Sequence, residues 1–288
     1  MSLRKAGVVL LCNVVLTPFL LTGAQPALAS AYPIESHYSQ PGPSRVSTSS
    51  ASDSTGATYD LYYPADLASL PPLPLLTWGD GTNAPPTSYP GVLDQLASWR
   101  FVVVASTCLN CGTGAEMLAG VNYMLGKNGD PTSPFYGRID TAEIGALGHS
   151  QGAGGAVNAT NNSGGLIKTD DPICLPAQKW VAPSTQFDVS ALRVPTMFLG
   201  GSADPVIAPP SALQGYYAQV PGPAALLILK GAGHLTIENT GGGYLGYLTA
   251  WFRYILDADS YARGAFVGSP PEANVNRSWV DVAEKNLP

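Results

Sequence analysis

A G-x-S-x-G pentapeptide, Gly148 to Gly152, directly follows the apolar end of the segment 143–147. A serine at the end of a buried strand can act as a nucleophile only if the chain turns sharply enough to lift its hydroxyl clear of the sheet, and small flanking residues permit such a turn. The segment 153–161 is rich in small residues and can form a helix packed close to that sheet. Because the chain contains 32 glycines, the pentapeptide alone does not distinguish this strand–turn–helix from a glycine-rich loop. Whether Ser150 is a nucleophile therefore depends on whether the chain supplies a base and an acid for it.

Residues 1–29 have the pattern of a secretory signal peptide. Arg4 and Lys5 precede an apolar stretch, and Ala29 ends a small-residue cleavage pattern, although a cut after Ala31 satisfies the same size rule. The apolar stretch is short for a membrane span, and no second candidate follows it. We therefore expect a secreted or periplasmic protein without a transmembrane anchor after cleavage. A retained anchor helix is the alternative.

Charge and composition limit the class of protein. Removal of the signal takes two of the 14 basic residues and none of the 20 acidic ones, so the mature chain has a net charge of 12 − 20 = −8, which argues against nucleic acid as a partner. With 45% hydrophobic residues, the chain can bury a sizeable core. We predict a flexible Ser/Pro-rich leader over 30–58, a single domain over 59–268 and a polar tail over 269–288, in a monomeric protein.

Apolar runs typical of buried strands alternate with helical patterns throughout the predicted domain. Strand candidates are 59–63, 73–78, 101–106, 143–147, 173–175, 194–200 and 224–230, and helix candidates are 92–99, 115–125, 153–161 and 244–256. Strands that are apolar on both faces are typical of the interior of a parallel sheet. The alternation predicts an α/β fold with a mainly parallel twisted sheet and helices on both faces.

Three cysteines remain after signal cleavage. Cys108 and Cys111 form a CxxC, and Cys174 lies in a separate strand candidate. Because export permits disulfides, we expect a Cys108–Cys111 bridge, with Cys174 buried and free. A structural zinc needs four neighbouring ligands, and a chain with three histidines supplies them poorly, so we expect no metal.

A serine nucleophile needs a base, which at neutral pH is almost always a histidine. His37 lies in the predicted leader, and His149 adjoins Ser150, where neighbouring side chains of a strand point apart. By elimination the base is His234, in the loop after the apolar run 224–229. A surface histidine without a catalytic role is the alternative reading.

The imidazole in turn needs a carboxylate that orients it. Asp204 follows the strand candidate 194–200 and fits that demand, while Glu238 and Asp188 are its rivals in less strand-like surroundings. An oxyanion hole needs two fixed N–H donors. We predict the backbone amide of Gln151 and that of Asp80, which has glycines on both sides.

With these residues placed, the chain resembles the α/β-hydrolase superfamily, and within it cutinase and polyester hydrolase-like enzymes together with chlorophyllase-like and dienelactone hydrolase-like esterases. The motifs that carry the resemblance are 77–82 (TWGDGT), 148–152 (GHSQG), 194–196 (VPT), 201–205 (GSADP), 231–234 (GAGH) and 249–253 (TAWFR). The order Ser150, Asp204, His234 is that of α/β-hydrolases. The resemblance implies Ser150 as nucleophile, Asp204 as acid and His234 as base, with Gln151 and Asp80 as amide donors.

Three positions depart from the polyester hydrolases that the chain resembles. Those enzymes commonly have an aromatic residue where Asp80 stands, a methionine where Gln151 stands and a tryptophan where Ser184 stands, and these three form an aromatic clamp. Trp180 is near the last position but displaced from it. His149 matches the cutinase form of the motif. The resemblance thus implies ester hydrolysis, while these departures weaken the implication that the protein acts on aromatic polyesters.

The spacing also bears on substrate access. Only residues 180–193 separate the strand after the motif helix from the strand that carries Asp204, too few for a lid. We therefore expect an open cleft that accepts bulky, polymeric or lipid esters, with Trp78, His149 and Trp180 as candidate wall residues, although a lone tryptophan at a strand end is usually packed, which slightly favours the core for Trp78. An acyl-enzyme mechanism requires no cofactor. A secreted peptidase or amidase with the same triad, and a non-catalytic binding member of the fold, are the alternatives.

Overall fold

The computed structural model describes residues 31–288, whose strands form one mixed sheet of nine. The strands are β1 (Val46–Ser52), β2 (Thr58–Pro64), β3 (Leu73–Gly79), β4 (Val102–Ser106), β5 (Ile139–His149), β6 (Thr169–Ile173), β7 (Thr196–Gly201), β8 (Ala224–Leu229) and β9 (Trp279–Lys285). Their spatial order is β1-β2-β4-β3-β5-β6-β7-β8-β9. The six central strands in this order, β3 to β8, pair in parallel, whereas β1, β2 and β9 join antiparallel at the two edges. The predicted signal peptide, residues 1–29, lies outside the described residues.

Helices cover both faces of the sheet. They are α1 (Pro33–Tyr38), α2 (Pro90–Ser98), α3 (Ala115–Gly129), α4 (Gln151–Asn162), α5 (Pro210–Gln219), α6 (Leu245–Asp257), α7 (Ser260–Arg263) and α8 (Glu272–Val275). Apolar side chains of α1, α2 and α6 share one core with one face of the strands, while α3, α4 and α5 pack on the other. The predicted α/β-hydrolase architecture is confirmed, and it follows from strands such as β3, β4 and β8 that are buried along their whole length.

The leader and the tail differ from expectation, because both contribute to the sheet. Within 30–58, α1 packs on α6 and β1 pairs with β2 along its full length. Within 269–288, β9 pairs with β8, and the indole of Trp279 donates a hydrogen bond to Glu35 of α1 (2.6 Å). β1 is VSTSSAS, a polar edge strand stabilised by its backbone ladder rather than by buried side chains, so its composition resembles that of a loop.

The predicted Cys108–Cys111 disulfide is absent, since all three described cysteines are free. A short 3-10 turn (Cys111–Thr113) directs the thiol of Cys111 back to the carbonyl oxygen of Cys108, at 2.8 Å. Cys174 is buried and free, as expected. Among residues 31–288, no helix has both the length and the apolar character needed to cross a bilayer.

Candidate active site

Ser150 lies at the junction of β5 and α4, in a strained backbone conformation. Its φ of 55° and ψ of −117° are rare for a residue with a side chain, and they place the hydroxyl at the carboxyl end of the parallel strands. The turn is possible because glycines let α4 approach the sheet. A Cβ on Gly152 would lie 2.1 Å from the carbonyl oxygen of Gly79, and one on Gly148 would lie 2.4 Å from that of Gly152. The sequence therefore builds the predicted strand–turn–helix, with Ser150 at its turn.

The structure brings Ser150, His234 and Asp204 together. His234 Nε2 lies 2.9 Å from Ser150 Oγ, and His234 Nδ1 lies 2.5 Å from Asp204 Oδ2. Asp204 follows β7 and His234 follows β8, so adjacent parallel strands deliver the two side chains to the same edge of the sheet. The rival Asp188 instead caps a 3-10 turn by accepting from the backbone of Ser190.

Asp204 is held in its ionised form. Its side chain is buried, and burial alone would raise its pKa, but the hydrogen bond from His234 and the charge of that ring lower the pKa below the usual range. The backbone N–H of Ile207 also donates to Asp204 Oδ1, at 3.1 Å. A carboxylate fixed from two sides can orient the imidazole and stabilise the imidazolium that forms when the ring accepts a proton.

The two segments that carry the predicted oxyanion amides, the loop after β3 and the first turn of α4, contact each other. Gln151 is the first residue of α4, and the first N–H groups of a helix have no acceptor within it. Asp80 follows β3, and its backbone lies against the first turn of α4, where a Cβ on Gly152 would meet the Asp80 carbonyl oxygen at 2.5 Å. Both segments reach the same end of the sheet as Ser150.

The side chain of Asp80 is fully buried, which its sequence context did not indicate. Its Oδ1 accepts a hydrogen bond from Trp78 Nε1 (2.7 Å), while Oδ2 has no partner among the described residues. Burial raises the pKa of Asp80 to about 8, against the opposing effect of the Trp78 hydrogen bond. Asp80 is therefore a neutral carboxylic acid at pH 7.

A cleft of about 320 Å³ opens beside Ser150. Its wall includes the predicted residues His149 and Trp180, together with Val181, Phe187, Ile207 and Leu235. Trp78 is not part of the wall: it is fully buried in the core against Tyr89, so its assignment to the cleft is wrong and the core alternative holds. Trp180 is 52% exposed, and its indole is anchored by donation to the carbonyl oxygen of Val206 (2.7 Å).

The chain between β6 and β7 contributes one side of this cleft. It contains only three short 3-10 turns, Gln178–Trp180, Pro183–Thr185 and Val189–Ala191. Among residues 31–288, the cleft is lined by one acidic residue, Glu238, and by no Lys or Arg. Its chemistry suits an uncharged ligand.

His149 and Tyr89 lie directly behind the triad. The ring of His149 is buried, with Nδ1 2.9 Å from the Tyr89 hydroxyl and Nε2 2.9 Å from the backbone carbonyl oxygen of His234. Burial, reinforced by the charge of His234, lowers the pKa of His149 to about 3. His149 is thus neutral and does not compete as a base. The role of Tyr89 was not predictable from the sequence, where its one signal is the turn-forming context Ser88-Tyr89-Pro90.

A metal-binding role for these side chains finds little support. Ligand atoms of His149, Cys174 and His234 lie within 4.8 Å of one another. Both ring nitrogens of His149 and of His234 already have hydrogen-bond partners, and burial raises the pKa of the Cys174 thiol to about 12. This group is better described as packing around the triad.

A serine on a strained strand–helix turn after β5, in hydrogen-bonding sequence with a histidine that follows β8 and an aspartate that follows β7 of the same parallel sheet, is the arrangement of an α/β-hydrolase. The comparison with protein families is more specific: residues 23–286 match the PET hydrolase-like family, and the chain belongs to it.

Relatives in the curated proteins are moderately similar. The chain is 27% identical over 173 residues to a bis(hydroxyethyl) terephthalate hydrolase of Streptomyces coelicolor, covering 58% of this chain and about half, 52%, of that protein. It is 27% identical over 223 residues to cutinase 1 of Thermobifida cellulosilytica, covering 75% of this chain and 79% of the cutinase. A cutinase of Thermobifida fusca is also 27% identical, over 75% of this chain and 68% of its own length.

Proposed function

We propose that this protein is a secreted serine hydrolase of carboxylic esters. The observation that carries the proposal is the hydrogen-bonded series Ser150, His234, Asp204 beside an open cleft, with distances of 2.9 and 2.5 Å. The names of the relatives, cutinases and a bis(hydroxyethyl) terephthalate hydrolase, support the same reaction class.

The reaction follows from the geometry of the three side chains. His234 Nε2 accepts the proton of the Ser150 hydroxyl as its oxygen attacks the ester carbonyl, and Asp204 stabilises the resulting imidazolium. The backbone amides of Gln151 and Asp80 are the donors for the oxyanion of the tetrahedral intermediate. His234 then protonates the departing alcohol. A water molecule, deprotonated by the same ring, releases the acid from the acyl-enzyme.

The cleft favours uncharged, bulky esters, including polymeric and lipid ones. The described residues that line it are mainly apolar and include one carboxylate, that of Glu238. Because Trp180 and Leu235 are 52% and 61% exposed, an apolar surface continues from the cleft to the outside of the molecule. A long substrate can therefore extend beyond the 320 Å³ of the cleft without a lid having to open.

A series of nitrophenyl esters from short to long acyl chains tests the proposal. We expect hydrolysis by the purified protein and its loss in Ser150→Ala, while Ser211→Ala, on an exposed turn of α5, serves as the matched control with full activity. Full activity in Ser150→Ala, or cleavage of nitroanilides in preference to esters, would contradict the proposal. Sequencing the N-terminus of the exported protein tests secretion, with residue 30 or 32 expected first.

A further inference from the structure

We infer that Tyr89 and His149 are positioning residues, which together fix the loop of the base His234 relative to the loop that carries the Asp80 oxyanion amide. The inference rests on the proposed function. It comes from a continuous series of hydrogen bonds: Gly81 N–H to the Tyr89 hydroxyl (3.1 Å), that hydroxyl to His149 Nδ1 (2.9 Å), and His149 Nε2 to the carbonyl oxygen of His234 (2.9 Å). Gly81 follows Asp80 directly, so the series runs from one functional loop to the other.

The protons of this series can be assigned in one way only. The His234 carbonyl can only accept, so the single hydrogen of the neutral His149 ring lies on Nε2 and donates to it. His149 Nδ1 is then an acceptor, so the Tyr89 hydroxyl donates to it, while the Tyr89 oxygen accepts from the Gly81 amide. Every donor then has an acceptor, and the tautomer of His149 is fixed by the His234 carbonyl.

Burial makes the series stiff. Tyr89 is 0% and His149 1% exposed, so water does not supply alternative partners at either ring. The approach is also close: a Cβ on Gly81 would lie 2.8 Å from the Tyr89 oxygen and 3.0 Å from His149 Nδ1. The backbone at Gly81 therefore packs directly against the hydrogen bond between Tyr89 and His149.

A second tie connects the same segments through their backbones. Asn239 N donates to Ser88 O (2.8 Å), and Gly91 N donates to Asn239 O (2.8 Å). Ser88 and Gly91 flank Tyr89, and Asn239 lies five residues after His234. The segment that carries Tyr89 thus holds the loop of the base at two points, one by side chains and one by backbone.

Loss of this register should reduce kcat, because small displacements of a catalytic group lower the rate even when substrate still binds. We expect Tyr89→Phe to lower kcat on the order of tenfold with KM nearly unchanged. Tyr123→Phe, on α3, is the matched control, because its ring stacks on Tyr59 away from the triad, and it should retain full activity.

Two substitutions of His149 separate the two ends of the ring. In His149→Gln the amide nitrogen can replace Nε2 and still donate to the His234 carbonyl, whereas in His149→Asn it can replace only Nδ1. We expect His149→Gln to keep several-fold more kcat than His149→Asn, and Tyr89→Phe to add little to the defect of His149→Asn. Equal or reversed activities of the two His149 variants at matched thermal stability would overturn the inference.

Nitrogen-15 NMR of histidine-labelled protein reports the tautomer and the hydrogen bonding of each ring nitrogen of His149. A general loss of stability in a variant would not by itself change these signals in the folded protein. With three histidines in the chain, the His149 signals are identified by their loss in His149→Gln. We expect the Nε2–H tautomer in both the wild type and Tyr89→Phe, because the His234 carbonyl remains its acceptor, and a changed Nδ1 chemical shift in Tyr89→Phe, because this nitrogen loses the hydrogen bond from the hydroxyl. An Nδ1–H tautomer in the wild type, or an unchanged Nδ1 shift and kcat in Tyr89→Phe, would refute the inference. If the wild type hydrolyses no ester, the proposed function fails instead, and the NMR result still judges the hydrogen-bond series.

Discussion

The substitution Asp80→Asn should remove a pH-dependent loss of stability from this protein. Asp80 is fully buried, and burial raises its pKa from the ordinary 3.8 to about 8. Such an acid keeps its proton in the folded state over a pH range in which the unfolded chain has released it. Its contribution to stability is therefore complete below pH 3.8 and is lost progressively as the pH rises toward 8.

The size of the effect follows from the width of that range. Each pH unit between the two pKa values costs ~1.4 kcal/mol of unfolding free energy, so the three units from pH 4.5 to 7.5 amount to about 4 kcal/mol. Asparagine is the matched replacement because its amide oxygen can still accept from Trp78 Nε1, at present 2.7 Å from Asp80 Oδ1, while its NH₂ takes the place of the acid hydroxyl. The amide does not titrate.

Urea unfolding of both proteins at pH 4.5, 6.0 and 7.5 measures the effect. We expect the stability of Asp80→Asn relative to wild type to increase by about 4 kcal/mol across this series. The buried Asp170 and Asp171, whose pKa values burial also raises, are common to both proteins and cancel in the difference. Asp80→Ala is the contrasting control: it also removes the titrating group but leaves the Trp78 N–H without an acceptor, so it should be less stable than Asp80→Asn by about 1–3 kcal/mol at every pH. Parallel curves for wild type and Asp80→Asn would refute the reasoning.

Three further predictions concern the turn at Ser150, the triad and the cleft. Gly152→Ala should destabilise the protein by about 3 kcal/mol in urea unfolding, because its Cβ would meet Gly79 O at 2.1 Å, whereas Gly126→Ala in α3, with nothing within 4 Å, should be neutral or stabilising; equal stabilities would contradict this. Asp204→Asn should lower kcat about 10³–10⁴-fold on a nitrophenyl ester without a large change in the unfolding midpoint, and a loss below tenfold would exclude Asp204 as the acid. Trp180→Ala should raise KM for long acyl chains more than for short ones; the same KM ratio as wild type would show that substrate does not extend over this indole.

The central sheet and its strand-end residues were predictable because the signals are local. Fully buried parallel strands such as β3 and β8 appear in the sequence as uninterrupted apolar runs. A residue that follows such a run lies at the functional edge of the sheet, which is why Asp204 and His234 could be placed without a structure. The edge strand β1 could not be recognised this way, because its backbone pairing leaves no mark on a Ser/Thr-rich sequence.

The surroundings of the triad depend on contacts between distant segments. Tyr89 reaches His149 across 60 residues, and Glu35 reaches Trp279 across 244. The direction of a side chain also decided the roles of Trp78 and Asp80, which face the core and bind each other although the loop itself lies beside Ser150. Residue type and strand position determine where the Cα atom of a residue lies, but packing determines the direction of its side chain.

The catalytic and substrate-contacting parts of this site depend on different features. The turn at Ser150, the amide donors and the tie through Tyr89 and His149 rest on backbone approach and buried hydrogen bonds, which tolerate few replacements. The wall between β6 and β7 is built from short turns, in which Trp180 lines the cleft and the exposed Ser184 lies next to the lining residue Thr185. Substitutions in this wall can change the ester that is accepted without disturbing the triad. The substitution Ser184→Trp should therefore change KM for aromatic esters while leaving kcat for a short acyl ester unchanged. A lower kcat for the short acyl ester would show that the wall also positions the triad.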